Sequence, residues 1–311
     1  MKAEQLRAAA LKRWAWRTET RYQIINTDID GLLAAAKLHD HFGWPVIGFN
    51  DLTTIWVEET HQGRTPKSQV AWVDLAMCRP GDRCIDQHVV ARTAQEASVI
   101  EAHGHSVNPN LIAGRYQNDL YKEKYPFGTY QWVSWLLGED ERRGDPAIDR
   151  IGAGLAWMPD GPSISMGKYK TNVLNWACEL MPGSILHPGA RLADTPSFTP
   201  RAWVAEAKQY LTRASGVCTN WGESDQWSQP PGEQVPRRDD MQALLDAITR
   251  HYGWKRLTLP SRYVATRGSR DWDGVPPGWP QSAGASGVIS AAAITGKKWS
   301  WTTAVDTRAR S

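Results

Sequence analysis

The sequence predicts an α/β fold, a doubly wound and mostly parallel sheet followed by a smaller, divergent α+β domain. Three observations lead there. From Arg21 to about Pro188 short β-rich runs alternate with helical ones, the pattern of a parallel sheet wrapped by helices. Several runs are continuously apolar, as strands covered on both faces are. Pro182–Pro200 holds four prolines and two glycines, which suits a linker. The 311 residues are enough for two cores, and we place a first domain over 1–190, the linker over 191–200 and a second domain over 201–311.

Each element has a local reason. Tyr22–Thr27 reads as a strand, Leu32–Phe42 as a helix and Pro45–Phe49 as the next strand. Gln69–Val73 and Arg83–Ile85 read as buried strands, and each stops at an aspartate. A polar loop carrying Asn108-Pro109 leads through Tyr125-Pro-Phe-Gly-Thr129 to an apolar helix ending near Leu137. A helix near Ala147–Trp157 runs into Met158-Pro-Asp-Gly161, a turn by composition. Beyond the linker, Arg201–Ala214 is helical and Gly222–Arg238 is a polar Pro/Gly/Gln stretch. Asp239 or Asp240 caps a helix with Met241, Leu244, Leu245 and Ile248 on one face. Val288–Ile294 and Trp299–Val305 pair as a hairpin around Thr295-Gly296-Lys297.

Composition narrows the function. No run nears the roughly 20 apolar residues of a membrane span, and the first residues carry charges where a signal peptide is apolar, so a cytoplasmic protein without a membrane partner is expected. Cys78, Cys84, Cys178 and Cys218 form no C-x-x-C pair and read as reduced core residues. Residues 1–200 hold 21 Lys/Arg against 23 Asp/Glu, whereas 201–311 hold 15 against 10. Eight of the 17 tryptophans, Trp203, Trp221, Trp227, Trp254, Trp272, Trp279, Trp299 and Trp301, lie in that basic third. Basic charge with exposed aromatics suits single-stranded nucleic acid; the competing reading of each tryptophan is core filler.

The informative motif is Asn26-Thr-Asp28-Ile-Asp30-Gly31, where a strand gives way to a helix. In extended chain, residues two apart face the same way, so Asp28 and Asp30 aim two carboxylates at one place. The alternative is a helix cap. An EF-hand fails, because Leu32 and His39 stand where acids belong. A haloacid-dehalogenase-type phosphatase, with Asp28 as nucleophile, also begins strand-D-x-D-G, but it leaves Asp74 and Asp86 without a task. In an open α/β sheet ligands bind outside the carboxyl ends of the strands, where these four acids converge.

With those residues in view, the sequence resembles the DHH phosphoesterase family over roughly residues 21–175. Asn-Thr-Asp28-Ile-Asp30-Gly31-Leu-Leu-Ala-Ala is similar to its first motif, Val73-Asp74-Leu75 to its second and Ile85-Asp86-Gln87-His88 to its third. Asp160, in Trp-Met-Pro-Asp160-Gly, stands where a fourth belongs, with Asp145 and Asp149 as competitors. The resemblance implies two divalent cations, manganese or magnesium, with Asp28 on one, Asp30 on the other, Asp74 bridging and Asp160 completing the second. It makes Asp86 a supporting acid and sets His88 at the substrate phosphate. Two departures stand out. Gln87 replaces a metal-binding histidine of the third motif, and Ile24, Ile25 and Asn26 occupy a stretch where some members carry another.

His103 and His105 flank a glycine, and His105, Arg115, Lys168 and Lys170 are candidates to meet substrate phosphate. Gly284-Ala-Ser-Gly287 faintly echoes the family's Gly-rich substrate-domain signature. The expectation is therefore a metal-dependent phosphodiesterase acting on single-stranded nucleic acid or a short or cyclic oligonucleotide. Its rival is a module that binds such a ligand without cleaving it.

Overall fold

The computed structural model describes residues 1–77, 79–103, 105–139, 141–193, 200–217, 237–272, 274–276, 278–280, 288–293 and 296–304. Outside the described residues lie Cys78, Cys218, Trp221, Trp227, Asp194–Thr199 of the expected linker, nearly all of the polar Gly222–Arg238 stretch and the Gly284–Gly287 signature. Side chains are not described for His103 or Trp272.

Helices along the described chain are α1 (Ala3–Arg13), α2 (Ile29–Phe42), α3 (Ala94–His103), α4 (Pro109–Ala113), α5 (Thr129–Leu137) and α6 (Arg150–Ala156). They continue with α7 (Pro162–Lys168), α8 (Lys170–Leu174), α9 (His187–Arg191), α10 (Pro200–Ser215) and α11 (Arg238–Tyr252). The strands are β1 (Tyr22–Asn26), β2 (Val46–Asn50), β3 (Thr54–Glu58), β4 (Val70–Val73) and β5 (Arg83–Ile85). After them come β6 (His105–Val107), β7 (Tyr263–Trp272), β8 (Val288–Ala293) and β9 (Trp299–Ala304).

The chain forms two compact units, and their division does not run through residues 191–200. One unit combines Met1–Ala9, Thr27–Gly43 and Tyr125–Leu259; the other combines Ala10–Asn26, Trp44–Lys124 and Pro260–Ser311. Each is therefore assembled from stretches distant in sequence, which local composition does not reveal. The Pro/Gly-rich segment contributes a short helix, α9, with Gly189 and Ala190 buried.

The nine strands among the described residues belong to the second unit, in the order β6-β5-β4-β1-β2-β3-β7-β9-β8. The five from β6 to β2 run parallel and the pairings from β2–β3 onward are antiparallel. Burial is continuous along β2, β4 and β5, as their apolar runs predict. β2 and β4 flank β1 on opposite sides, so the strand order reverses there, and the carboxyl ends beside such a reversal are where open α/β sheets bind ligands. The hairpin of Val288–Ala293 with Trp299–Ala304 forms as expected.

β8 then reaches back. Ala291 N–H donates to Ala76 O (3.3 Å) and Ala293 N–H to Val89 O (2.8 Å), so a strand far along the chain holds the segments that follow β4 and β5. The cluster below includes Ala76, Val89, Leu111, Trp279 and Trp299. Trp203, Trp254, Trp279 and Trp299 are all buried, so these four present no open ring face to a nucleobase, and core packing accounts for them.

In the first unit α2 starts on Asp28 and ends on Gly43, whose left-handed backbone (φ 75°) returns its N–H to His39 O. Asp239 and Asp240 do not cap α11; the cap position is Arg237 and both acids sit in the first turn, where the helix dipole favours them. At Gly154 of α6 an added Cβ would lie 2.2 Å from Trp203 O, so the glycine sets the close approach of α10. Among the described residues no helix is long and apolar enough to cross a membrane.

Trp299 is 1% exposed and donates from Nε1 to Gln117 Oε1 (2.6 Å). Trp299→Ala is expected to cost about 3–5 kcal/mol, read from urea unfolding, because it opens a cavity and orphans a buried amide. A loss below about 1 kcal/mol would show that this cluster does not hold the sheet.

Candidate metal centre

The strand ends of the second unit carry the first group. At the end of β4, Asp74 is 1% exposed with a left-handed backbone (φ 59°), a conformation that aspartate tolerates better than most residues. Its N–H donates to Ile85 O (2.8 Å), and its Oδ2 accepts from Asn26 Nδ2 (2.9 Å) at the end of β1. Asp86, after β5, is equally buried. Its Oδ1 lies 2.5 Å from His88 Nδ1, while its Oδ2 accepts from Asn108 Nδ2 (2.9 Å) and from the His88 N–H (3.2 Å).

Asn108 ties this arrangement to the next helix. Its Nδ2 also reaches His88 O (2.7 Å), and its Oδ1 accepts the N–H groups of Asn110 and Leu111 to cap α4, with Pro109 at the first helical position. Asp74, Asp86 and His88 each offer a ligand atom, and these atoms lie within 4.8 Å of one another. Asp86 is engaged on both oxygens, so its main effect is to fix the ring of His88, as carboxylates do for metal-binding histidines. Gln87 Nε2 sits 3.4 Å from His88 Nε2, and its main-chain O accepts from Asn110 Nδ2 (2.6 Å).

The first unit carries the other group. Asp28 is both a buried carboxylate and a cap, with Oδ1 accepting the Gly31 N–H (2.9 Å). The two readings of the motif therefore coexist at this residue. Asp30 is 1% exposed and accepts the first amides of α5, Thr129 N–H on Oδ2 (2.6 Å) and Tyr130 N–H on Oδ1 (2.8 Å). Gly128 makes that possible, since a Cβ there would stand 2.5 Å from the carboxylate. Asp160, at φ 56°, brings a carboxylate oxygen within 4.8 Å of one on Asp30.

Burial, then the charges of Asp160 and Asp28, push the Asp30 carboxyl well above its ordinary range, against the pull of the two α5 amides. Three acids gathered this way repel one another, and a cation is the natural remedy. Both groups thus fit a hard divalent ion by their chemistry: oxygen donors, one imidazole, and no thiolate. Cys84 is inert by comparison, its buried thiol pushed up to about 12.

The remaining candidates separate. Asp149 caps α6 and pairs with His251 (2.8 Å), and Asp145 accepts the Ala147 N–H (2.9 Å), so neither competes with Asp160. His105 opens β6 beside Arg83, at the amino ends of the parallel strands, so it stands at the opposite end from Asp86 and does not join this group. Arg115 is paired with Glu123 (3.1 Å), and Lys170 Nζ donates to Ala193 O (3.1 Å). Lys168 is exposed. Sequence reasoning missed Asn26 and Asn108 as the groups that orient Asp74 and Asp86; an asparagine before Pro109 was the visible signal for the second.

Comparison of the chain with protein-family models, with curated proteins and with solved structures finds no significant match.

Because the folded metal-free protein holds the Asp30 proton more tightly than the unfolded chain, that stabilisation is full below the ordinary carboxylate range and is lost as pH rises through the folded value. Asp160→Asn removes one cause and keeps a residue suited to left-handed backbone. In chelator, thermal unfolding between about pH 4 and 7 should show the variant losing less stability than wild type. A steeper loss would contradict the like-charge account.

Proposed function

We propose that this chain is a divalent-metal-dependent phosphodiesterase that hydrolyses phosphodiester bonds of single-stranded nucleic acid or of short or cyclic oligonucleotides. The observation that carries the reading is the Asp74–Asp86–His88 group, with ligand atoms within 4.8 Å, at the carboxyl ends of the adjacent parallel strands β4 and β5, beside β1, where the strand order reverses. The carboxyl ends at such a reversal are where open α/β sheets bind ligands. The resemblance to DHH phosphoesterases drawn from motifs one to three supports the same chemistry.

Each acidic group would hold a manganese or magnesium ion, which would supply positive charge and an activated water to a bound phosphate. Asp74, steadied by Asn26, and His88 would hold one ion; Asp30 and Asp160 would hold another, with the charge of Asp28 beside Asp30. Asp86 holds Nδ1 of His88, so Nε2 is the ring atom that His88 would offer the ion. Gln87, a neutral ligand at best, weakens its site relative to a histidine. That feature favours the second reading, binding without cleavage.

Hydrolysis of an end-labelled single-stranded oligonucleotide should require manganese or magnesium. It should fall by more than about 100-fold in Asp74→Ala, beyond what loss of an orienting group costs. Gln87→His should raise the rate and tighten manganese binding by calorimetry. Absence of turnover with either ion, on strands and on dinucleotides alike, removes the enzyme; salt-sensitive binding that persists in chelator would then establish the binding module.

A further inference from the structure

Between Asp160 and the end of α8 the first unit carries exposed apolar side chains beside exposed lysines. Ile164 is 42% exposed and Tyr169 52%, although both are large and apolar in body. Gly167, Lys168, Lys170 and Thr171 around them are also exposed. No acidic residue occurs from Gly161 to Cys178, so the charge of this stretch is purely positive. Tyr169 is the hinge of the feature. It ends α7 and begins α8, its N–H donating to Ser165 O (2.7 Å) and its O accepting from the Val173 N–H (3.0 Å). The ring is thus carried on a backbone fixed from both sides, which lowers the entropy lost when something settles on it.

We infer that Tyr169 is a stacking platform for a base of a single-stranded nucleic acid, with Lys168 contacting the neighbouring phosphate. The inference rests on the phosphodiesterase reading and sharpens it, selecting an extended strand over a lone cyclic dinucleotide. Helix α7 starts two residues after Asp160, and its seven residues span about 10 Å. At about 3.4 Å per stacked nucleotide, a helix of that length is matched by about three nucleotides of strand. An aromatic face flanked by lysines suits any base and any sequence, because every base has a π-face and every linkage a charge. Ile164, one α7 turn before Lys168, is exposed on the same helix.

The test is binding, read apart from cleavage. Fluorescence anisotropy of a short single-stranded oligonucleotide, in excess chelator, should give about tenfold weaker affinity for Tyr169→Ala and wild-type affinity for Tyr169→Trp. An abasic strand of equal length should bind wild type and Tyr169→Ala alike. Lys168→Gln should lower the salt slope by about 0.7, one phosphate contact. Equal affinity of Tyr169→Ala and wild type for the base-bearing strand overturns the inference, as does failure of tryptophan to restore it. It is overturned too if Tyr169→Ala changes only the sedimentation of the protein, which would mark the strip as a contact between copies. Loss of hydrolysis with every substrate would sink the enzyme reading and leave these affinities to be judged by themselves.

Discussion

Negative charge taken out of water must be matched by donors or by cations, and that requirement organises the ends of the parallel strands. Asp30, Asp74 and Asp86 are each about 1% exposed. A carboxylate so enclosed is tolerable only when its oxygens accept hydrogen bonds. The chain meets the need three ways: amides of a helix start for Asp30, Asn26 for Asp74, and Asn108 with His88 for Asp86. Those donors fix where the oxygens point, and around Asp30 the charges of Asp160 and Asp28 leave a residual repulsion.

Much of the sheet was legible because parallel strands covered on both faces must be apolar throughout, and Val70–Val73 and Arg83–Ile85 are nearly so. β7 was not legible. Tyr263–Trp272 includes Thr266, Arg267, Gly268, Ser269 and Arg270, and it is a strand because β3 and β9 supply partners on both sides. Pairing of that kind lies in tertiary structure, beyond the reach of local propensity. The division into units was hidden for the same reason: residues 27–43 pack with 125–259, and composition carries no record of such long-range choices.

At the candidate site the acids were visible, since an aspartate closing an apolar run is a break in pattern. Their supports were not, because Asn26 and Asn108 look like ordinary polar residues until their partners are known. Tyr169 and Lys168 were similarly ambiguous. A tyrosine between lysines reads as core or surface with equal ease, and burial alone distinguishes them. The tryptophans ran the other way: an excess that pointed to nucleobases is, for Trp203, Trp254, Trp279 and Trp299, satisfied by packing.

The return of β8 onto Ala76 and Val89 has a consequence for biosynthesis. The segments bearing Asp74, Asp86 and His88 are made well before the strand that pins them. At about 5–20 residues per second the nascent chain spends on the order of ten seconds with those acids present but unsecured. Holding those acids through contacts so distant in sequence costs slow folding.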